Sequence, residues 1–176
     1  GEVGRLEGAI FKNWEEGDFD ETLQCAYGLD FGWEPDPTAM SKVAIDEKKK
    51  AIYVKELCYS NKLTQENIAD VIRINTRANE LIVADSADKR MIDAMYDRGF
   101  NIFEATKGPG SVREGIMFIQ DYKLIVDKDS VNLKKELQNY CWNNARAGIP
   151  IDKYNHLCDS IRYAIEKLRT PDFYFG

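Results

Sequence analysis

Three aspartates stand where a carboxylate can do chemistry. Asp30 ends the apolar run Cys25-Ala-Tyr-Gly-Leu-Asp30, Asp85 ends the run Leu81-Ile-Val-Ala-Asp85, and Asp159 falls in an amphipathic stretch near the end of the chain. Carboxylates gathered without compensating bases repel one another and hold their protons more tightly. Divalent cations remove that penalty, and hard oxygen donors suit magnesium or manganese. Two such ions roughly 4 Å apart can activate a water and stabilise the departing 3′-oxygen of a phosphodiester. His156, the only histidine, stands three residues before Asp159. On a helix the two share a face, so His156 can share a metal or orient and protonate a phosphate-bound water. The plainer alternative is a histidine bonded to nearby backbone at a helix N-terminus.

For the acids to meet, the elements bearing them must converge. Three short apolar runs, 25–30, 38–45 and 51–59, are separated by a Gly/Pro loop and by the polar turn 46–50, which predicts an antiparallel meander. The period then changes. Thr64 to Asn67 reads as a capping sequence before Ile68, Val71 and Ile72 at helical spacing. Strand 81–84, helix 89–98 with Met91, Ile92 and Met95 on one face, and strand 100–105 follow, a passage that implies parallel strands with right-handed crossovers. Helix 111–120, strand 123–126, helix 130–140, loop 145–152 and a closing helix 153–168 complete the chain. The expected fold class is therefore α/β, a mixed sheet of a three-strand meander plus parallel strands, flanked by helices. The first and fourth strands become neighbours whose C-terminal ends share one edge, where open α/β sheets bind ligands. A helix crossing that edge can bring Asp159 alongside.

Composition narrows the function classes. A chain of 176 residues, 44% hydrophobic and 31% charged, suits one globular domain. It holds no apolar run near the ~20 residues of a membrane span and no secretory pattern. The formal charge of −6 argues against nucleic-acid binding through overall positive charge, although a metal-dependent site must itself concentrate acids. The four scattered cysteines, Cys25, Cys58, Cys141 and Cys158, are expected as buried, reduced thiols of a cytosolic protein. Residues 1–24, with Leu6, Ile10, Phe11 and Trp14 weakly periodic, read as a linker or short helix forming an N-terminal extension, and 25–176 as the domain. The chain opens on Gly1, not Met, and is expected to be a fragment of a longer protein.

Several segments, in order, resemble the nuclease domain of tailed-bacteriophage terminase large subunits. Gly28-Leu-Asp30-Phe-Gly-Trp33 with Asp36-Pro-Thr-Ala39 resembles the opening strand motif of that family, and Ile82-Val-Ala-Asp85-Ser86 its second acidic strand. Ala105-Thr-Lys107-Gly-Pro-Gly-Ser111 with Gly115-Ile116 is similar to the loop and helix that follow. Leu133-Lys-Lys-Glu-Leu137-x-x-Tyr140-x-Trp142 and His156-Leu-Cys-Asp159-Ser160-x-Arg162-Tyr163 are similar to its closing segment. The resemblance spans about residues 25–168. It implies a ribonuclease H-like fold and two-metal, Mg2+- or Mn2+-dependent cleavage of double-stranded DNA concatemers during viral genome packaging, in the cytoplasm of an infected or lysogenic bacterium. It implies Asp30, Asp85 and Asp159 as metal ligands with His156 close by. It implies one further acid, for which Glu56, on a strand taken to lie beside the first, is the candidate; a solvated strand glutamate is the alternative. The partners implied are DNA, a packaging ATPase domain of the same full-length protein, the portal and the small terminase subunit, with no membrane. No GxxxxGK[ST] sequence occurs, so the ATPase is expected to lie outside this chain.

Lys107, in a Gly-Pro-Gly loop after a strand, is a candidate phosphate contact, because glycines let backbone approach a ligand closely. Arg113, Lys89 and Arg90 are further DNA-binding candidates. Lys48-Lys49-Lys50 reads as a solvated turn, Asp88 as a helix cap, and Trp33 as a packing residue with DNA contact as the alternative. Two other functions stay open: another ribonuclease H-fold nuclease, such as a junction resolvase or recombinase, and a non-catalytic module that docks on a motor or portal.

Overall fold

In the computed structural model, residues 8–170 and Phe175 are described. The elements run β1 (Trp14–Glu16), β2 (Cys25–Asp30), β3 (Thr38–Asp46), β4 (Ala51–Ser60), α1 (Gln65–Asn75), β5 (Ile82–Ala84), α2 (Lys89–Asp97), β6 (Ile102–Glu104), α3 (Ser111–Gln120), β7 (Lys123–Val126), α4 (Val131–Asn139) and α5 (His156–Leu168). Among the described residues the strands form one seven-stranded sheet in the order β1-β7-β4-β3-β2-β5-β6. Only β3 runs against its neighbours; the pairs β2–β5, β5–β6, β4–β7 and β1–β7 are parallel. The expected α/β mixed sheet, a meander continued by parallel strands, is the one observed. No helix among the described residues is long and apolar enough to cross a membrane.

The period of two along each strand sorts the side chains into two cores. On one face Ala26 of β2, Val43 of β3, Val54 of β4 and Val83 of β5 pack beneath α3, α4 and α5. On the other, Tyr27, Leu29, Met40, Ile82 and Ala84 pack against Ile68 and Ile72 of α1 and Met91, Ile92 and Met95 of α2. Thr64 and Asn67 cap α1 reciprocally, and Asp88 caps α2 through Met91 N–H, as their positions before apolar helical runs require.

The segment before Cys25 departs from expectation. Trp14–Glu16 is an edge strand paired with β7, and Ile10 and Phe11 are buried in the core, so this stretch is neither free linker nor helix. Its three paired residues have too short a run to display an alternating pattern. Leu6 lies outside the described residues. Of the four cysteines only Cys158 is buried; the other three are half-buried, and all four are free thiols.

Helix α5 occupies the centre of its layer. It lies across β2, β3 and β5, with α3 and α4 on its flanks, and Leu157, Ile161, Ala164 and Ile165 are buried along it. It approaches the sheet very closely at one point: a Cβ on Gly28 would fall 1.6 Å from the carbonyl oxygen of Ser160. Beside this contact the hydroxyls of Ser160 and Ser41 lie 2.8 Å apart, both buried. Gly28 thus admits the helix backbone, and the serine pair fixes its axial position. Gly28→Ala is expected to lift α5 from the sheet and lower the unfolding free energy by about 3 kcal/mol. Urea unfolding followed by circular dichroism measures this; an unchanged midpoint would mean that the contact does not seat the helix.

Candidate active site

The register of β2 and β5 decides where the first two acids stand. Leu29 is opposite Ala84 in parallel pairing, and Asp85 N–H continues the ladder to Leu29 O at 3.3 Å. Asp30 and Asp85 are therefore side by side at the C-terminal ends of adjacent strands, on the face toward α5. Burial raises the pKa of Asp30; His156 opposes the rise, and the charges of Asp85 and Asp36 add to it.

Helix α5 brings two more groups to this rim. His156 Nδ1 lies 3.3 Å from Asp30 Oδ2 and its Nε2 lies 3.6 Å from Asp36 Oδ1; the Tyr59 ring meets the imidazole edge-on at 6.4 Å. The hydrogen bond to Asp30 raises the pKa of His156 against the effect of burial, with the charges of Asp30, Glu136 and Asp36 adding to the rise. One turn along, Asp159 is only 21% exposed and Arg162 Nη2 reaches its Oδ1 at 3.2 Å. Burial pushes Asp159 up to about 7, Arg162 pulling it down and the charges of Asp30 and Glu136 pushing it further up. Room for the Arg162 stem comes from Gly115 of α3, where a Cβ would lie 2.8 Å from the arginine side chain.

The start of α5 is held by another helix. Asn155 precedes it without a side-chain cap. In place of that cap the carboxylate of Glu136, 1% exposed on α4, accepts from the N–H groups of Leu157 at 3.2 Å and Cys158 at 2.9 Å. Burial raises the pKa of Glu136, and these two bonds moderate the rise. An anion at a helix N-terminus gains from both the free N–H groups and the helix dipole. The same device recurs one step back: Glu56 of β4 accepts from Leu133 N–H at 2.9 Å and from the Asn132 side chain at 2.7 Å, at the start of α4.

Glu56 thus has both carboxylate oxygens engaged by α4. Its strand does not lie beside the first strand of the meander, as expected above, because β3 intervenes. Strands joined by short turns pair with their immediate successors.

Of the basic candidates, Lys107 reaches the acids. Its Nζ is 3.5 Å from Asp85 Oδ1 while its side chain stays 63% exposed. The Thr106 N–H before it donates to both carboxylate oxygens of Glu166 on α5, at 2.9 and 3.1 Å, tying this loop to the same helix. Lys89 is exposed and 3.9 Å from Glu104; Arg90 and Arg113 are exposed. Arg113 lines a groove of about 370 Å³, with Gly110, Gly148, Asn155, Asp159 and Arg162, that opens on the third acid.

The four residues read from sequence therefore converge on one rim, each acid with a basic partner: His156 at Asp30, Lys107 at Asp85 and Arg162 at Asp159. Carboxylate oxygens are the donors that magnesium and manganese prefer. With the side chains as they stand, however, no group of three or more His, Cys, Asp or Glu among the described residues is close enough to hold a metal ion. From sequence, Asp36, Glu136 and Arg162 stand in the family-like segments without a role of their own, and Glu166 is unmarked. Arg162 carried a legible signal, an arginine one turn from an aspartate; the other three act across long sequence distances.

The raised Asp159 has a consequence for stability. Its pKa of about 7 lies above the ordinary 3.8, so between those values the folded chain keeps a proton that the unfolded chain has lost. The favourable contribution of that proton is full below the lower value and disappears as pH rises through the upper one. Asp159→Asn, which cannot ionise, should therefore gain stability relative to the unsubstituted chain between about pH 5 and about pH 8. Urea unfolding at both pH values with a chelator present tests this; an equal difference at the two would show that burial leaves Asp159 free to ionise.

Known proteins resemble this chain in sequence and in fold. The family model described as the terminase RNase H-like domain matches residues 30–167. The large terminase subunit of Bacillus phage SPP1 is 34% identical over 171 residues, covering 93% of this chain and 40% of that protein. The PBSX phage terminase large subunit of Bacillus subtilis is 31% identical over 150 residues, 82% of this chain and 35% of that one. The chain thus spans about two fifths or less of the length of these relatives. The crystal structure of the SPP1 large terminase nuclease domain with bound Mn superposes with a TM-score of 0.78 at 32% identity, covering 90% of this chain and 98% of that one. The P22 large terminase nuclease domain shares the fold, with a TM-score of 0.73 at 17% identity over 93% of both chains. By these matches the chain belongs to the terminase RNase H-like domain family.

Proposed function

We propose that this chain is the nuclease part of a terminase large subunit, a divalent-metal-dependent endonuclease that cuts double-stranded viral DNA concatemers during genome packaging in the bacterial cytoplasm. The observation that carries the reading is the parallel register of β2 and β5, which ends two adjacent strands on aspartates under the helix bearing His156 and Asp159. Asp30, Asp85 and Asp159 are the residues that would hold one or two Mg2+ or Mn2+ ions. Such ions supply Lewis-acid activation of water and charge stabilisation at the departing 3′-oxygen.

The chain's own groups do the rest. His156 orients Asp30 through Nδ1 and presents Nε2 toward Asp36 and the phosphate side. Lys107 balances the charge of Asp85 until it is needed elsewhere; so exposed a pair contributes no more than about 1 kcal/mol, and its ammonium is then free to meet a phosphate oxygen. Arg162 keeps the Asp159 carboxylate turned to the rim. Arg113, Lys89 and Arg90 contact the DNA backbone, and Glu56 serves α4. An ATPase domain of the same full-length protein, the portal and the small terminase subunit are the partners this reading assigns to the complete machine.

The purified chain with Mn2+ is expected to nick and then linearise a supercoiled plasmid, and to lose that activity in a chelator. Asp30→Asn and Asp85→Asn should each lower the rate at least a hundredfold, with an unchanged circular dichroism spectrum. Gel electrophoresis of timed samples measures this. Cleavage at the original rate by either variant would remove these aspartates from the reaction, and a strong preference for a four-way junction over every linear duplex, paired or mismatched, would turn the reading toward a junction resolvase.

A further inference from the structure

Trp33 is 66% exposed, against the packing role expected from its sequence. A large aromatic surface left in water is unfavourable, yet this ring is not loose. Its indole N–H donates to Asp88 Oδ2 at 3.1 Å, and Asp88 is itself fixed as the N-cap of α2. The Trp33 backbone carbonyl accepts from Asp36 N–H at 2.6 Å, and Asp36 in turn faces His156. The ring therefore joins two loops: 31–37, which follows Asp30, and 85–88, which follows Asp85. The ring thus stands on the loops that follow both acids. The exposed cations of Lys89, just after Asp88, and Lys107, on Asp85, line one groove with Ser86 and Glu104.

We infer that Trp33 is a substrate-positioning residue that stacks on a nucleobase next to the scissile phosphate. The inference rests on the nuclease reading above. Base–aromatic stacking needs only a ring face and tolerates any sequence, which suits an indole whose N–H is already committed to Asp88. A base can reach the ring only after leaving its own stack, and that costs least where it is mismatched or unpaired. Trp33 thus makes the domain favour DNA with a locally opened base over fully paired duplex.

The experiment uses the full chain labelled with 5-fluorotryptophan. Its 19F spectrum carries resonances from Trp14, Trp33 and Trp142, and the spectrum of Trp33→Phe identifies the second. With a chelator present to prevent cleavage, a single-stranded or centrally mismatched oligonucleotide is expected to shift the Trp33 resonance alone, and a fully paired duplex to shift it less. With Mn2+, Trp33→Ala should cut the mismatched duplex roughly ten- to a hundredfold more slowly, while Trp33→Phe, which keeps a ring, recovers most of the rate. A Trp33 resonance unmoved by DNA, together with full activity of Trp33→Ala, would overturn the inference, leave the nuclease reading intact and make the ring a contact for a protein partner. No cleavage of any DNA by the unsubstituted chain would remove both.

Discussion

The whole site depends on a helix backbone lying directly on a strand. Only a residue without a Cβ lets Ser160 come so close to Gly28, and the position is two residues before Asp30 on the same strand face. A bulkier residue would raise α5 and carry His156 and Asp159 away from Asp30 and Asp85 together. The buried hydroxyl pair of Ser41 and Ser160 then stops the helix from sliding along its axis. The geometry of the rim is set here by backbone contact, the least compliant kind of packing a protein has.

A second layer of control passes through helix N-termini. Glu56 on the sheet receives the start of α4, and Glu136 on α4 receives the start of α5. Glu136 is removed from bulk water and Glu56 is half-buried, and each is stabilised by N–H groups left open at a helix start. The order sheet, α4, α5, site means that the first turn of α5 is located relative to the sheet twice, once by its own contact and once through α4. Sites held within a fraction of an ångström require this kind of supporting shell.

Much of this was legible in the sequence, for physical reasons. Apolar runs that stop on an acid, as at Asp30 and Asp85, record a strand leaving the core at a polar edge, and a spacing of Leu157, Ile161, Ala164, Ile165 and Leu168 records one buried helical face. The sheet class followed from the change of period after Tyr59. What escaped was either too short or too distant. β1 has three paired residues and no room to alternate. Glu136 and its partners are 21 and 22 residues apart, with nothing in the chain to mark the pairing. Glu56 looks like any strand glutamate until the meander is laid out with β3 in the middle. Trp33 reads first as a packing residue because the usual preference of tryptophan is burial; the hydrogen bond to Asp88 instead holds it in the open.

The three basic partners of the acids differ in depth, and ionic strength will treat them differently. Dissolved salt weakens attraction between solvated charges beyond about 10 Å at 0.1 M and even shorter distances as it rises, but enters buried pairs poorly. Lys107 is 63% exposed and Arg162 only 13%. Salt therefore loosens the lysine at Asp85 while the arginine at Asp159 keeps its hold. The rim is graded by its basic partners, the one at Asp85 answering to the surrounding electrolyte and the one at Asp159 far less.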